Sequence, residues 1–188
     1  MTPADPAAAR LISVNLGIAR PLLASGRRVL SAIGKQPVTG PVGVARLGLA
    51  GDEQADPSVH GGLDKAVYAY PAEHLAYWQA KRLEHSVSLW DEVLPSGFVG
   101  ENLSLQGLLE AQVWVGDELH FPGCVLRVTA PREPCYKFNA VMGYPQAARD
   151  MMLAGCCGFY LAVKQVGTIE AGQCSTLVPG PRGLSIPD

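Results

Sequence analysis

Residues 113–138 read VWVGDELHFPGCVLRVTAPREPCYKF, and this stretch decides the fold class. Its first half is short apolar runs cut by Gly116-Asp117 and Pro122-Gly123. That pattern predicts two strands around the Gly-Asp turn in 113–121, a second turn, and a third strand over 124–129. Its second half, PREPCYKF at 131–138, is a stiff loop. Each proline fixes its own φ and pushes the preceding residue out of the α region, so Cys135 is presented in a set direction. Arg132 and Lys137 flank it and favour thiolate over thiol, the form needed by a nucleophile or a soft-metal ligand. The ordinary alternative is a cysteine packed as a small hydrophobe.

Working outward, residues 11–19, 27–33 (after a turn at Ser25-Gly26), 66–70, 159–166 and 174–178 read as strands. Residues 40–52 make a short strand and a turn, and 101–105 look extended. Pro71, with Glu73 in the first turn, predicts a helix to about residue 84, and residues 145–153 predict a second, ended by Gly155. Many short strands and two helices give a mainly β fold, a barrel or closed sheet with a few peripheral α-helices. Residues 51–62, GDEQADPSVHGG, form a long polar loop without a period, and such loops in compact domains are often functional.

The totals exclude several classes. At 188 residues, 48% of them hydrophobic, the chain fits one domain with a real core. The 21 glycines and 15 prolines speak against a helical bundle. Net charge is −2 and no basic run stands out, so a nucleic-acid partner is not expected. No segment is long and apolar enough to span a bilayer, and residues 1–10 lack a signal-peptide layout, which reads as a cytoplasmic protein. Five cysteines, an odd number with Cys156 and Cys157 adjacent, read as reduced thiols.

Two further constellations carry chemistry. In His60-Gly61-Gly62-Leu63-Asp64-Lys65 the glycines let backbone amides approach an anion, Lys65 adds a cation and His60 a donor. An ordinary turn with solvated side chains is the alternative. Gly100-Glu101-Asn102 places an amide that donates and accepts at once, which suits a heterocycle edge, although Asn is also a common turn residue. Zinc is disfavoured because no CxxC pair exists. A histidine partner for Cys135 cannot be chosen among His60, His74, His85 and His120. The Gly-bracketed Cys156-Cys157 pair is either redox-active or a structural turn.

Taken together, GDEQADPSVHGGLDKAVYAYPAEHLAYW, GFVGENLSLQGLLEAQVWVGDEL and PREPCYKF resemble the MOSC domain, named for the C-terminal domain of molybdenum-cofactor sulfurases, in its bacterial YiiM-type branch. The resemblance spans about residues 14–178. It implies a MOSC-like β-barrel over about residues 11–180 in a single domain covering 1–188. It also implies a molybdenum cofactor, a pterin dithiolene holding the metal, with Cys135 as the protein ligand and catalytic residue. Lys35, His60, Gly61, Gly62, Asp64, Lys65, Glu101, Asn102 and Arg132 fall where the family surrounds its cofactor. YiiM-type proteins usually continue into a small helical domain, whereas this chain stops at Asp188. The activity implied is reduction of N-hydroxylated compounds such as hydroxylamino-purines or amidoximes. Its partners would be a small-molecule substrate, an external electron-donor protein and a second copy in a homodimer. Two other readings stay open: a sulfur or cofactor carrier with a Cys135 persulfide, and a domain in which Cys135 is simply packed.

Overall fold

The computed structural model describes residues 8–55, 61–90 and 92–187. Among them run strands β1 (Ala8–Leu16), β2 (Arg20–Ala24), β3 (Arg27–Ser31), β4 (Gln36–Val38), β5 (Val42–Ala45), β6 (Gly48–Leu49), β7 (Val67–Pro71), β8 (Leu103–Gln106), β9 (Glu118–His120), β10 (Val125–Pro131), β11 (Phe159–Gln165), β12 (Gly167–Ile169) and β13 (Cys174–Val178). The α-helices are α1 (Leu75–Glu84), α2 (Tyr136–Met142) and α3 (Ala147–Ala154).

Seven strands close into a barrel in the order β13-β9-β10-β11-β7-β8-β1, with β1 pairing back onto β13. Closure depends on the length of β1. Its first residues pair with β13, its last with β4, and its other edge with β8. Only β7–β8 is parallel among the barrel pairs, and a parallel pair needs a crossover. Residues 72–102 supply it and carry α1. That helix is pinned by Trp78, which is fully buried, donates its indole N–H to the Tyr70 hydroxyl at 2.6 Å, and meets Phe138 of α2 edge-on. Leu11, Leu103, Leu105, Leu119, Leu126 and Phe159 join the same core.

A bulge between Leu11 and Ser13 interrupts the β1–β8 ladder. Beyond it the strand buries polar Ser13 and Asn15, where an unbroken alternation of apolar residues would have continued the core. Both keep the inward phase of Ala9 and Leu11, so polar groups lie in the barrel interior beside β8.

The mainly β barrel with peripheral helices is as the sequence predicts. Three local expectations are corrected. Residues 113–121 do not form a hairpin: only β9 is a strand there, and Trp114 makes a single bridge to Ser185. The reason is Asp117, whose fully buried carboxylate accepts from the amides of Trp114 and Gly180 and draws the segment toward the C-terminal residues. Pro71 closes β7 rather than opening a helix, and a 3-10 turn at Ala72–His74 precedes α1. A helix not expected from the sequence, α2, begins directly after Cys135.

Candidate functional site

A cavity lies where the segment after β10 turns into α2. Six of the ten residues singled out from the sequence line it: Lys35, Gly61, Lys65, Asn102, Arg132 and Cys135.

Cys135 holds the N-cap position of α2 with extended backbone, and its carbonyl accepts from the Phe138 amide at 2.9 Å. The proline-flanked loop thus delivers a partly buried sulfur to the cavity wall. Arg132 is 7% exposed. Its guanidinium lies 5.0 Å from the ring centres of both Tyr68 and Phe138. It also meets Met151 Sδ at 3.2 Å. Among the described residues no carboxylate forms an ion pair with it. A guanidinium cannot shed its charge on burial, so this one is held by rings and a thioether and faces a space suited to an anion.

The imbalance extends around the wall. Lys35, Lys65, Arg132 and Lys137 face two carboxylates, Asp52 and Glu53. Asp52 is committed to Lys35 and Glu53 accepts from the Ala19 amide. Lys65 lies 5.4 Å from the Tyr160 ring centre, and Lys137 donates to the Leu30 carbonyl, tying α2 to the β2–β3 hairpin. Among the described residues that line the cavity, cations therefore outnumber carboxylates.

The opposite wall is a polar network centred on Asp52. Its Oδ1 accepts from the Gly17 amide at 2.7 Å and from Lys35 Nζ at 2.5 Å, and its Oδ2 accepts from Asn102 Nδ2 at 2.8 Å. Burial pushes the Lys35 ammonium below the usual lysine range, and Asp52 partly offsets that. Asn102 is fully used: its amide also donates to the Asn15 carbonyl, and its oxygen accepts from the Tyr68 amide. It is a strut joining β1, β7 and the loop after β6.

Glu101 does not line the cavity. It is wholly buried beneath it, where Oε1 accepts from the Gly97 amide and Ser104 hydroxyl, and Oε2 has no partner. Burial pushes its carboxyl above the ordinary range. Asp64 is exposed and Gly62 stands outside the lining, while His60 lies outside the described residues. Gly61 has φ +107°, and a Cβ there would overlap the Gln54 side-chain amide that braces this turn.

Cys156 and Cys157 are buried behind the site. Burial, then the nearby Glu110, pushes the Cys156 thiol up to about 12 and raises Cys157 too. The pair packs as structure. Among the described residues no group of three His, Cys, Asp or Glu side chains is arranged to hold a metal. Sequence reading misses Asp52, Tyr68 and Tyr160. Asp52 is signalled only by its place after Gly51 in a loop already marked as functional, and the tyrosines read as strand interior.

A family model described as the MOSC domain matches residues 56–174. An uncharacterized protein YflK of Bacillus subtilis is 33% identical over 94% of this chain and 76% of its own length. A protein named reductase from Gibberella moniliformis is 34% identical over 84% of this chain, a match to only 27% of that protein. The crystal structure of YiiM from Geobacillus stearothermophilus superposes with a TM-score of 0.74 at 32% identity, covering 95% of this chain and 80% of that one.

Proposed function

The chain belongs to the MOSC domain family, and from that premise we propose that it is a molybdenum-cofactor-binding oxidoreductase that reduces N-hydroxylated compounds. The observation that carries the proposal is Cys135 in one cavity with the buried Arg132, which has no carboxylate partner among the described residues. The residues fit the group: a thiolate suits molybdenum, and excess cations suit a dithiolene pterin and its phosphate. Cys135 would hold the metal, while Arg132 and Lys65 would take anionic parts of the cofactor. Gly61 lines the cavity, and Gly62 extends the same turn. Lys35 faces the interior of the cavity, and Asn102 fixes the wall rather than touching the ligand.

When bound, the cofactor supplies two-electron redox chemistry, and the protein's part is orientation and charge. Tyr68, Tyr160 and Ile33 give the cavity apolar faces against which a planar heterocycle can lie. The single-domain reading of residues 1–188 and a homodimer belong to the same proposal. So does an external electron-donor protein.

The test is molybdenum by elemental mass spectrometry and pterin by fluorescence, in protein from a host that makes the cofactor. The parent is expected to hold close to one molybdenum per chain, and Cys135→Ser to lose it together with reduction of a hydroxylamino-purine. No molybdenum in the parent, with a persulfide on Cys135, would replace this reading with the sulfur-carrier one.

A further inference from the structure

We propose that Lys35 is the proton donor of this cavity and that Asp52 is the residue that positions it, so that the Lys35 ammonium protonates the hydroxyl oxygen of an N–OH substrate as it leaves. The inference rests on the reductase reading above and adds to it a named acid. In the overall step the N–OH group takes two electrons and two protons and gives N–H and water. The electrons come from an external reduced electron-carrier protein. The N–O bond breaks, Lys35 gives one proton to the departing oxygen, and solvent supplies the other to nitrogen. Solvent then reprotonates the Lys35 amine.

The geometry fixes Lys35 more firmly than the cavity's other two lysines, Lys65 and Lys137. Its ammonium is 2.5 Å from Asp52, and the Gly17 amide and Asn102 side chain hold that carboxylate from two other directions. Its backbone and stem are clasped by two glycines: a Cβ on Gly97 would come within 2.7 Å of the Lys35 carbonyl, and one on Gly17 within 3.0 Å of its Cγ. A donor with so little freedom costs little reorganisation at the moment of reaction.

The neighbours are poorer acids for this task. Arg132 does not release a proton. The Tyr68 hydroxyl is committed to the Cys157 carbonyl at 2.8 Å, and burial pushes the Tyr160 hydroxyl up. Lys65 and Lys137 are less buried than Lys35. The charged groups facing Lys35 are Asp52 from the loop after β6 and Glu101 from the turn before β8. Burial makes the proton easier to give than a surface lysine's, while Asp52 keeps it in place until it is needed.

The first arm of the test needs no cofactor. In protein labelled at lysine 13Cε, the Lys35 signal, assigned with Lys35→Met, is titrated in the parent and in Asp52→Asn. The midpoint is expected to fall by about one pH unit or more in Asp52→Asn, a tenfold change in proton affinity. An unchanged midpoint overturns the positioning role. The second arm uses molybdenum-loaded enzyme with rates taken per bound molybdenum. Lys35→Met is expected to lower kcat about 10²-fold, with KM within about twofold. Lys35→Arg, which keeps the charge and holds its proton, is expected not to restore it. Loss of molybdenum from Lys35→Met, or an unchanged kcat, overturns the proton role. A parent without molybdenum removes the reductase reading and the proton step together, and the titration still decides whether Asp52 holds Lys35.

Discussion

Two cysteine settings lie on either side of Tyr68. Tyr68 lines the cavity with Cys135, and its hydroxyl donates away from the cavity to the Cys157 carbonyl. On the cavity side, a sulfur sits beside an excess of cations in a space open to ligand. On the other side, Cys156 and Cys157 are enclosed with Glu110, whose carboxylate accepts from the Gly158 amide and pairs with His74. Both settings are cysteine in a Gly- or Pro-rich turn, and both qualify as chemistry in the sequence. Cations and access distinguish the first, while burial and a neighbouring carboxylate, each opposing a thiolate, mark the second as packing.

The largest expected effect tests that contrast directly. At pH 8 a thiol pushed up to about 12, as Cys156 is, has a thiolate fraction about 10³-fold below that of an ordinary cysteine. Iodoacetamide should therefore modify Cys135 and the exposed Cys174 while leaving Cys156, Cys157 and Cys124 intact, the last pushed up to about 11 by burial. Peptide mass spectrometry over a time course reads the order. Modification of Cys156 as fast as Cys174 would erase the distinction between the two settings.

A smaller effect separates packing from chemistry on the enclosed side. Trp78 fills the space between α1, Tyr70 and Phe138. Trp78→Ala should cost about 3–5 kcal/mol in denaturant unfolding through the lost indole and the cavity left behind. Cys135→Ser, by contrast, should leave unfolding within about 0.5 kcal/mol of the parent. Equal losses would mean that Cys135 is also a packing residue, the plainest alternative to the cofactor reading.

How much of this was legible in the sequence follows from how local each feature is. The barrel was legible because strand alternation and turn residues are local, and the Cys135–Arg132 pairing because the two are three residues apart. The false hairpin at 113–121 came from a local rule overridden at a distance, since Asp117 takes partners as far away as Gly180. Asp52 was hidden for the same reason: its partners Gly17, Lys35 and Asn102 come from three separate stretches. Glu101 and Asn102 gave only a weak signal in the sequence, equally that of a turn, and it could not say that one is buried below the cavity and the other spent on holding its wall. Helix α2 escaped because seven residues after two prolines give too little period to read.

The smallest effect sharpens the contrast from the side of charge. Glu118 on β9 gathers Lys164, Arg127 and His120, so several bases share one carboxylate. Among the described residues of the cavity wall, cations outnumber carboxylates. Hydrogen bonds, above all from Lys164, pull the Glu118 carboxyl down to about 2. Its partners are largely exposed and solvent screens them, so Glu118→Gln should cost no more than about 1 kcal/mol near neutral pH. The sign of its pH dependence is fixed: the folded-state value lies below the unfolded carboxylate's, so the contribution is complete above about pH 4.3 and is lost as pH falls toward 2. Thermal melts of parent and Glu118→Gln should therefore converge between pH 5 and pH 2, within about 1 kcal/mol throughout. A gap that persists at pH 2 would mean that Glu118 acts through packing. A gap well above that size would mean that a balanced surface network holds this barrel more firmly than its exposure allows.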